Sequence, residues 1–122
     1  GLLYNEYPFM GEGFIPENYG EYNLLDPFEN PASAQFHHRH LALFTLVNIL
    51  IFGFKNYNYK NDIKMKRIIL LMGIAVSAQF FLGIITLIKM VPIHLGVLHQ
   101  AGALILFLIL TFSIHRIYLL KQ

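Results

Sequence analysis

The sequence predicts an all-α integral membrane protein with three transmembrane helices. Residues 68–88 form 21 positions, and residues 90–115 another 26, without one formal charge. A bilayer core about 30 Å thick is crossed by roughly 20 apolar helical residues, and neither run shows the polar face of a soluble core helix. Charged residues make up 13% of the chain, against about a quarter in ordinary soluble domains. Charge is also unevenly placed. The first 38 residues hold six of the seven acids (Glu6, Glu12, Glu17, Glu21, Asp26, Glu29) and no Lys or Arg, whereas Lys55, Lys60, Lys64, Lys66 and Arg67 cluster between the helices.

The absence of cysteine excludes a disulfide framework, thiolate zinc, iron–sulfur clusters and a cysteine nucleophile. The net charge of +2 is distributed as membrane topology and not as a nucleic-acid patch. No signal peptide is visible, and without an initiator Met the chain is expected to be processed or part of a longer protein.

Residues 1–29 read as an ordered, outer-facing loop. Pro8, Gly11, Gly13, Pro16, Gly20 and Pro27 interrupt it too often for a helix, and its Tyr and Phe content is too high for a disordered linker. A first helix is expected over about 30–54, with Asn30 as N-cap and Pro31 at the first helical position. Its apolar part, Leu41 to Phe54, spans a bilayer only if Gln35, His37, His38, Arg39 and His40 lie in its outer third. A basic inner loop, 55–67, separates it from helices over about 68–88 and 92–114. The positive-inside rule places that loop, Arg116 and Lys121 on the cytoplasmic or matrix side. All seven tyrosines fall outside the three proposed spans, as an interfacial belt requires.

Ionisable groups inside a membrane mark function. His38 lies seven residues past Pro31 and His99 seven past Pro92, so both sit roughly 10 Å along helices that run the same way. His37 and His40 are turned about 100° and 200° from His38 and read as solvated or hydrogen-bonded. His94 and His115 read as interfacial. Two imidazoles at matched depth suit a bis-histidine haem. Gly96 and Gly102 stand at i−3 and i+3 from His99, and Ala34 and Ala42 at i−4 and i+4 from His38, where a porphyrin needs space. Gly73, Ala75, Ser77, Ala78 and Gly83 add small residues on the second helix. Arg39 is placed to neutralise a haem propionate. Small residues at such spacing also serve helix–helix packing. The residues alone therefore reach a membrane helix bundle that holds a haem or another metal.

The segment Tyr4-Asn5-Glu6-Tyr7-Pro8-Phe9-Met10-Gly11-Glu12-Gly13-Phe14-Ile15-Pro16-Glu17 resembles the outer loop of haem A synthases, YNxFPxMGExxIPE. Glu29-Asn30-Pro31 through Gln35-Phe36-His37-His38-Arg39 is similar to ENPxxxQFxHR. Gln79 to Leu87 is similar to QxxLGIxTLL. Val91-Pro92 and Leu98-His99-Gln100-Ala101-Gly102-Ala103-Leu104 match VP and LHQAGAL. The four motifs, in order, cover almost the whole chain.

The resemblance implies an eight-helix protein of two four-helix halves that oxidises the C8 methyl of haem O to the formyl of haem A. This chain would be the C-terminal half, without the first five helices, in which His38 and His99 hold a haem b iron in a four-helix haem-binding bundle. Gln35 stands where the N-terminal half has a catalytic Glu, so this part is expected to be inactive alone. The implied partners are the lipid bilayer, the N-terminal half with its haem O, haem O synthase, a ferredoxin-like electron donor and cytochrome c oxidase assembly factors, with no nucleic acid. The expected location is the mitochondrial inner membrane or a bacterial plasma membrane. The cysteine pair of some bacterial members is missing. One rival is a catalytically inactive, haem-free scaffold or accessory subunit of a respiratory complex. Another, an ion path, finds only Thr45, Asn48, Thr111 and Ser113 along the inner half.

Overall fold

The computed structural model describes residues 3–122, so the first two positions of the loop predicted over 1–29 lie outside the described residues. Residues 3–22 form an irregular loop whose only β feature is an isolated bridge between Met10 and Gly13, and the described chain is mainly helical from Asn23 on. A 3-10 turn (Asn23–Leu25) leads into the single turn α1 (Asp26–Glu29). Three long helices follow: α2 (Pro31–Asn56), α3 (Ile63–Ile88) and α4 (Ile93–Lys121).

The start of α2 is built as its sequence requires. Asn30 caps it by accepting from Ala32 N–H at 3.0 Å, with Pro31 at the first helical position. The Asn30 amide donates to Asn18 O at 2.5 Å and to Asp26 Oδ1 at 3.2 Å. Asp26, buried, accepts from Gly20 N–H at 2.9 Å and Tyr22 N–H at 3.1 Å. Burial opposes ionisation of Asp26, but the neighbouring Ser33 hydroxyl and the donors from Gly20, Tyr22 and Asn30 outweigh it, holding the carboxyl at about 2. This knot of short polar side chains joins the loop to the helix.

The basic stretch differs from the loop expected over 55–67. α2 continues to Asn56, a 3-10 turn covers Tyr59–Asn61, and α3 already begins at Ile63. Asp62 explains the early start: its carboxylate caps α3 by accepting from Met65 N–H at 2.8 Å, and Lys64, Lys66 and Arg67 are good helix formers. Asp62 also receives both Arg116 Nη2 at 2.8 Å and Arg116 Nε at 3.0 Å. Arg116 above all, with Met65 N–H, keeps this carboxyl below its usual range against the opposing effect of burial. Lys60 Nζ adds a hydrogen bond to Leu120 O. α4 runs past the expected end at 114 to Lys121 because no Gly or Pro stops it.

A four-residue link joins α3 to α4. Thr86 O accepts from Val91 N–H at 2.8 Å and Leu87 O from Met90 N–H at 3.0 Å, a Schellman closure. Met90 at φ 61° and Val91 at φ 54° occupy the left-handed region that side chains disfavour.

α3 packs along both α2 and α4, which have no comparable contact with each other. Ile49 of α2, Met72 and Val76 of α3, and Leu106 of α4 form the buried core, with Leu46, Phe52, Ala75, Ile109 and Leu110 against it. Gly53 allows close approach, since a Cβ there would lie 3.2 Å from Ile69 Cγ2. Ser113, fully buried, returns its hydroxyl to Leu110 O at 2.7 Å. Large apolar side chains point outward instead, Ile74 at 68% and Phe107 at 64% exposure among them. α3 and α4 are each long and apolar enough to cross a membrane. α2 has the length, but its first third carries the polar residues Gln35 to His40.

The Asp62 geometry predicts a graded stability series. Asp62→Ala should lose both the helix cap on Met65 N–H and the paired hydrogen bonds from Arg116, and so be the least stable of the series. Asp62→Asn and Arg116→Met should lose only the second. Thermal unfolding in detergent measures the order, and equal losses in all three would refute it. For Asp26, the depressed carboxyl pKa means that its support is complete above the unfolded value of 3.8 and is lost as pH falls through about 2. Amide exchange at Gly20 and Tyr22, corrected for intrinsic rate, should lose protection in that window. Asp26→Asn should show no such step.

Candidate cofactor site

α2 and α4 run in the same direction, and the equal spacing of their histidines from the two helix starts brings His38 and His99 together. Their ring centres lie 6.4 Å apart, with the planes at 78°. His38 is exposed on the open side of the pair, and His99 is half-buried.

His99 is the more firmly held of the two. The α3 residue Gln79 places its amide nitrogen 2.6 Å from His99 O and 3.1 Å from His99 Nδ1. Gly83, one turn further along α3, gives the ring its room: a Cβ there would fall 2.9 Å from His99 Cε1. Gly102 has an equally specific neighbour, since its Cβ would lie 2.2 Å from Gln79 Oε1. Gly102 thus forms the notch that admits Gln79, and the space read from sequence as room for a porphyrin is filled there by an amide. Gly96 faces Val91, with ordinary contact at 3.9 Å for an added Cβ.

Arg39 and Gln35 face the N-terminal loop. Arg39 donates to Phe9 O at 3.0 Å and to Tyr4 O at 2.9 Å, and Gln35 Nε2 donates to Tyr4 O at 2.6 Å. The loop is thereby strapped across the start of α2, and Tyr7 adds an edge contact with Phe80 of α3 at 6.4 Å. Two atoms beside this strap, Gln35 Oε1 and Arg39 Nε, are buried without a hydrogen-bond partner among the described residues.

The other histidines are occupied elsewhere or exposed. His37 Nε2 meets Tyr19 Oη at 3.3 Å, and His40 Nδ1 meets Phe36 O at 2.9 Å. His94 and His115 are exposed. Among the described residues no group of three or more His, Cys, Asp or Glu could hold a metal ion, and α2, α3 and α4 contain no Asp or Glu at all. The chemistry within the helices therefore rests on two imidazoles, one amide and one guanidinium. Gln79 was not singled out from sequence as a site residue. Its signal was available, since it is the one amide within the charge-free run 68–88, where an unpaired amide is costly.

Comparison with known proteins agrees with these motifs. The COX15-CtaA family model, described as cytochrome oxidase assembly protein, matches residues 1–111. The chain is 40% identical over 119 residues to a haem A synthase of Bartonella quintana, covering 93% of this chain and 32% of that protein. It is 39% identical over 107 residues to a haem A synthase of Pelagibacter ubique, covering 86% and 31%. It is 39% identical over 110 residues to the haem A synthase COX15 of Mus musculus, covering 87% and 26%. No solved structure matches. The chain spans about a third of the length of the relatives it matches, and it belongs to the COX15-CtaA family of cytochrome oxidase assembly proteins.

Proposed function

We propose that the chain is the cofactor-holding part of a haem A synthase, in which His38 and His99 would hold the iron of a haem b. The paired imidazoles are the observation that carries this reading. Their ring centres lie 6.4 Å apart on two different helices, so the two side chains could hold one iron between them. The relatives named haem A synthase support the activity: oxidation of the C8 methyl of haem O to a formyl group. The half that holds haem O lies outside this chain.

In this reading α2 crosses the membrane beside α3 and α4, its 26 residues reaching about 39 Å. The bilayer is the inner mitochondrial or the bacterial plasma membrane. A haem held by both histidines would supply one-electron transfer. The chain's residues do the rest. His38 and His99 hold the group between α2 and α4, and Gln79 and Gly83 hold His99. Arg39 commits two of its five N–H donors to the loop and brings positive charge beside His38 for a propionate. Gly102 acts through the notch it makes for Gln79, and Gly96 keeps the His99 face of α4 slim. The strap from Tyr4 to Phe9 closes the outer end against water.

A reduced-minus-oxidised visible spectrum of the purified, membrane-extracted protein tests this. A low-spin b-type signal is expected, and His38→Ala and His99→Ala should each abolish it. A signal that survives in both single variants would overturn the ligand assignment. A protein without haem would point to the scaffold reading.

A further inference from the structure

Gln79 does more than fill a gap between helices. A backbone carbonyl only accepts, so the contact of 2.6 Å with His99 O fixes which end of the amide faces it: the nitrogen. That nitrogen also lies 3.1 Å from His99 Nδ1. An amide nitrogen has two hydrogens and no lone pair to offer, so Nδ1 must be the acceptor. The neutral ring then carries its proton on Nε2, and in that form Nε2 has no lone pair for a metal. Ligation through Nε2 needs the reverse arrangement, with the proton on Nδ1 facing an acceptor. The same side chain can supply one. A half-turn of the amide exchanges Nε2 for Oε1, and the Gly102 notch, which now takes Oε1, accepts the NH2 in its place.

We infer that Gln79 is a positioning residue with two settings. With its nitrogen towards His99 it holds the imidazole protonated on Nε2. Turned over, it holds the imidazole protonated on Nδ1, whose Nε2 is free to ligate. The first setting keeps the hydrogen bond to His99 O. The second gives it up and must also draw Oε1 back from that carbonyl, because two acceptors repel at the 2.6 Å the nitrogen now occupies. His38 has no such partner among the described residues, so the tautomer control falls on one ligand of the pair. The second setting rests on the haem reading above, whereas the first is a property of the haem-free protein.

The test separates the two. Nitrogen-15 spectra of the histidines, taken on the full-length protein prepared without haem, report the His99 tautomer directly. Wild type should show the proton on Nε2. Gln79→Glu, whose carboxylate only accepts, should move it to Nδ1. Gly102→Ala, which displaces the amide without altering it, should lose the preference, as should Gln79→Leu. An unchanged tautomer in all three variants would overturn the inference, and Gly102→Ala keeps the test decisive if a Gln79 variant fails to fold. With haem added, Gln79→Glu should bind more tightly than Gln79→Leu by about 10–100-fold, the usual reach of a residue behind a metal ligand. Equal affinity of these two would overturn the second setting alone. Absence of haem from every protein, wild type included, with the tautomer shifts intact would sink the haem reading and leave the first setting standing.

Discussion

A helix surrounded by hydrocarbon has no water to satisfy its polar groups, so each must find a partner inside the protein. Several polar side chains in α2, α3 and α4 bond within their own helix. Asn48 and Asn56 donate to carbonyls four residues back, at 2.8 Å in both cases. Ser77, Thr86 and Thr111 do the same with their hydroxyls, at 2.7–2.9 Å. Others bond outside their own helix and tie the molecule together, among them Gln79 to α4, Arg116 to the cap of α3, His37 to Tyr19, and Gln35 and Arg39 to the N-terminal loop. A polar group that reaches across is thus the informative one.

These ties lie at different levels. The Asp62–Arg116 pair closes the basic end, where α3 starts and α4 finishes. The apolar core of Ile49, Met72, Val76 and Leu106 fills the middle. At the other end, packing gives way to the histidine pair, the Gln79 amide and the loop strap. α3 is the shared wall throughout, and it alone fixes how far apart the two histidine-bearing helices stand. A cofactor held between α2 and α4 would complete the end that side chains leave open.

Much of this was legible in the sequence, because charge-free runs and caps act locally. Asn30-Pro31 marks the start of α2, and seven-residue spacing from a proline put both histidines at one depth. The end of the basic loop was misread for a physical reason. Lys and Arg signal topology but also favour helix, and Asp62, the only acid among residues 55–67, is a cap and an ion-pair partner at once. The Gly102 notch was beyond reach of local pattern. Its role follows from Gln79, 23 positions earlier in the chain, and only the angular relation of α3 to α4 brings the two together. Small residues say that something lies close by, without saying what.

That angular relation is set by the link Lys89–Pro92, where Met90 and Val91 take left-handed backbone to turn the chain in the fewest residues. One residue more or fewer would rotate α4 by about 100° and shift it by about 1.5 Å along its axis. His99 would then turn away from His38, and the notch would no longer meet the amide. The link behaves as a phase lock between two helices. Its length is therefore under tighter constraint than its side chains, and natural variation there should take the form of substitution and not of insertion.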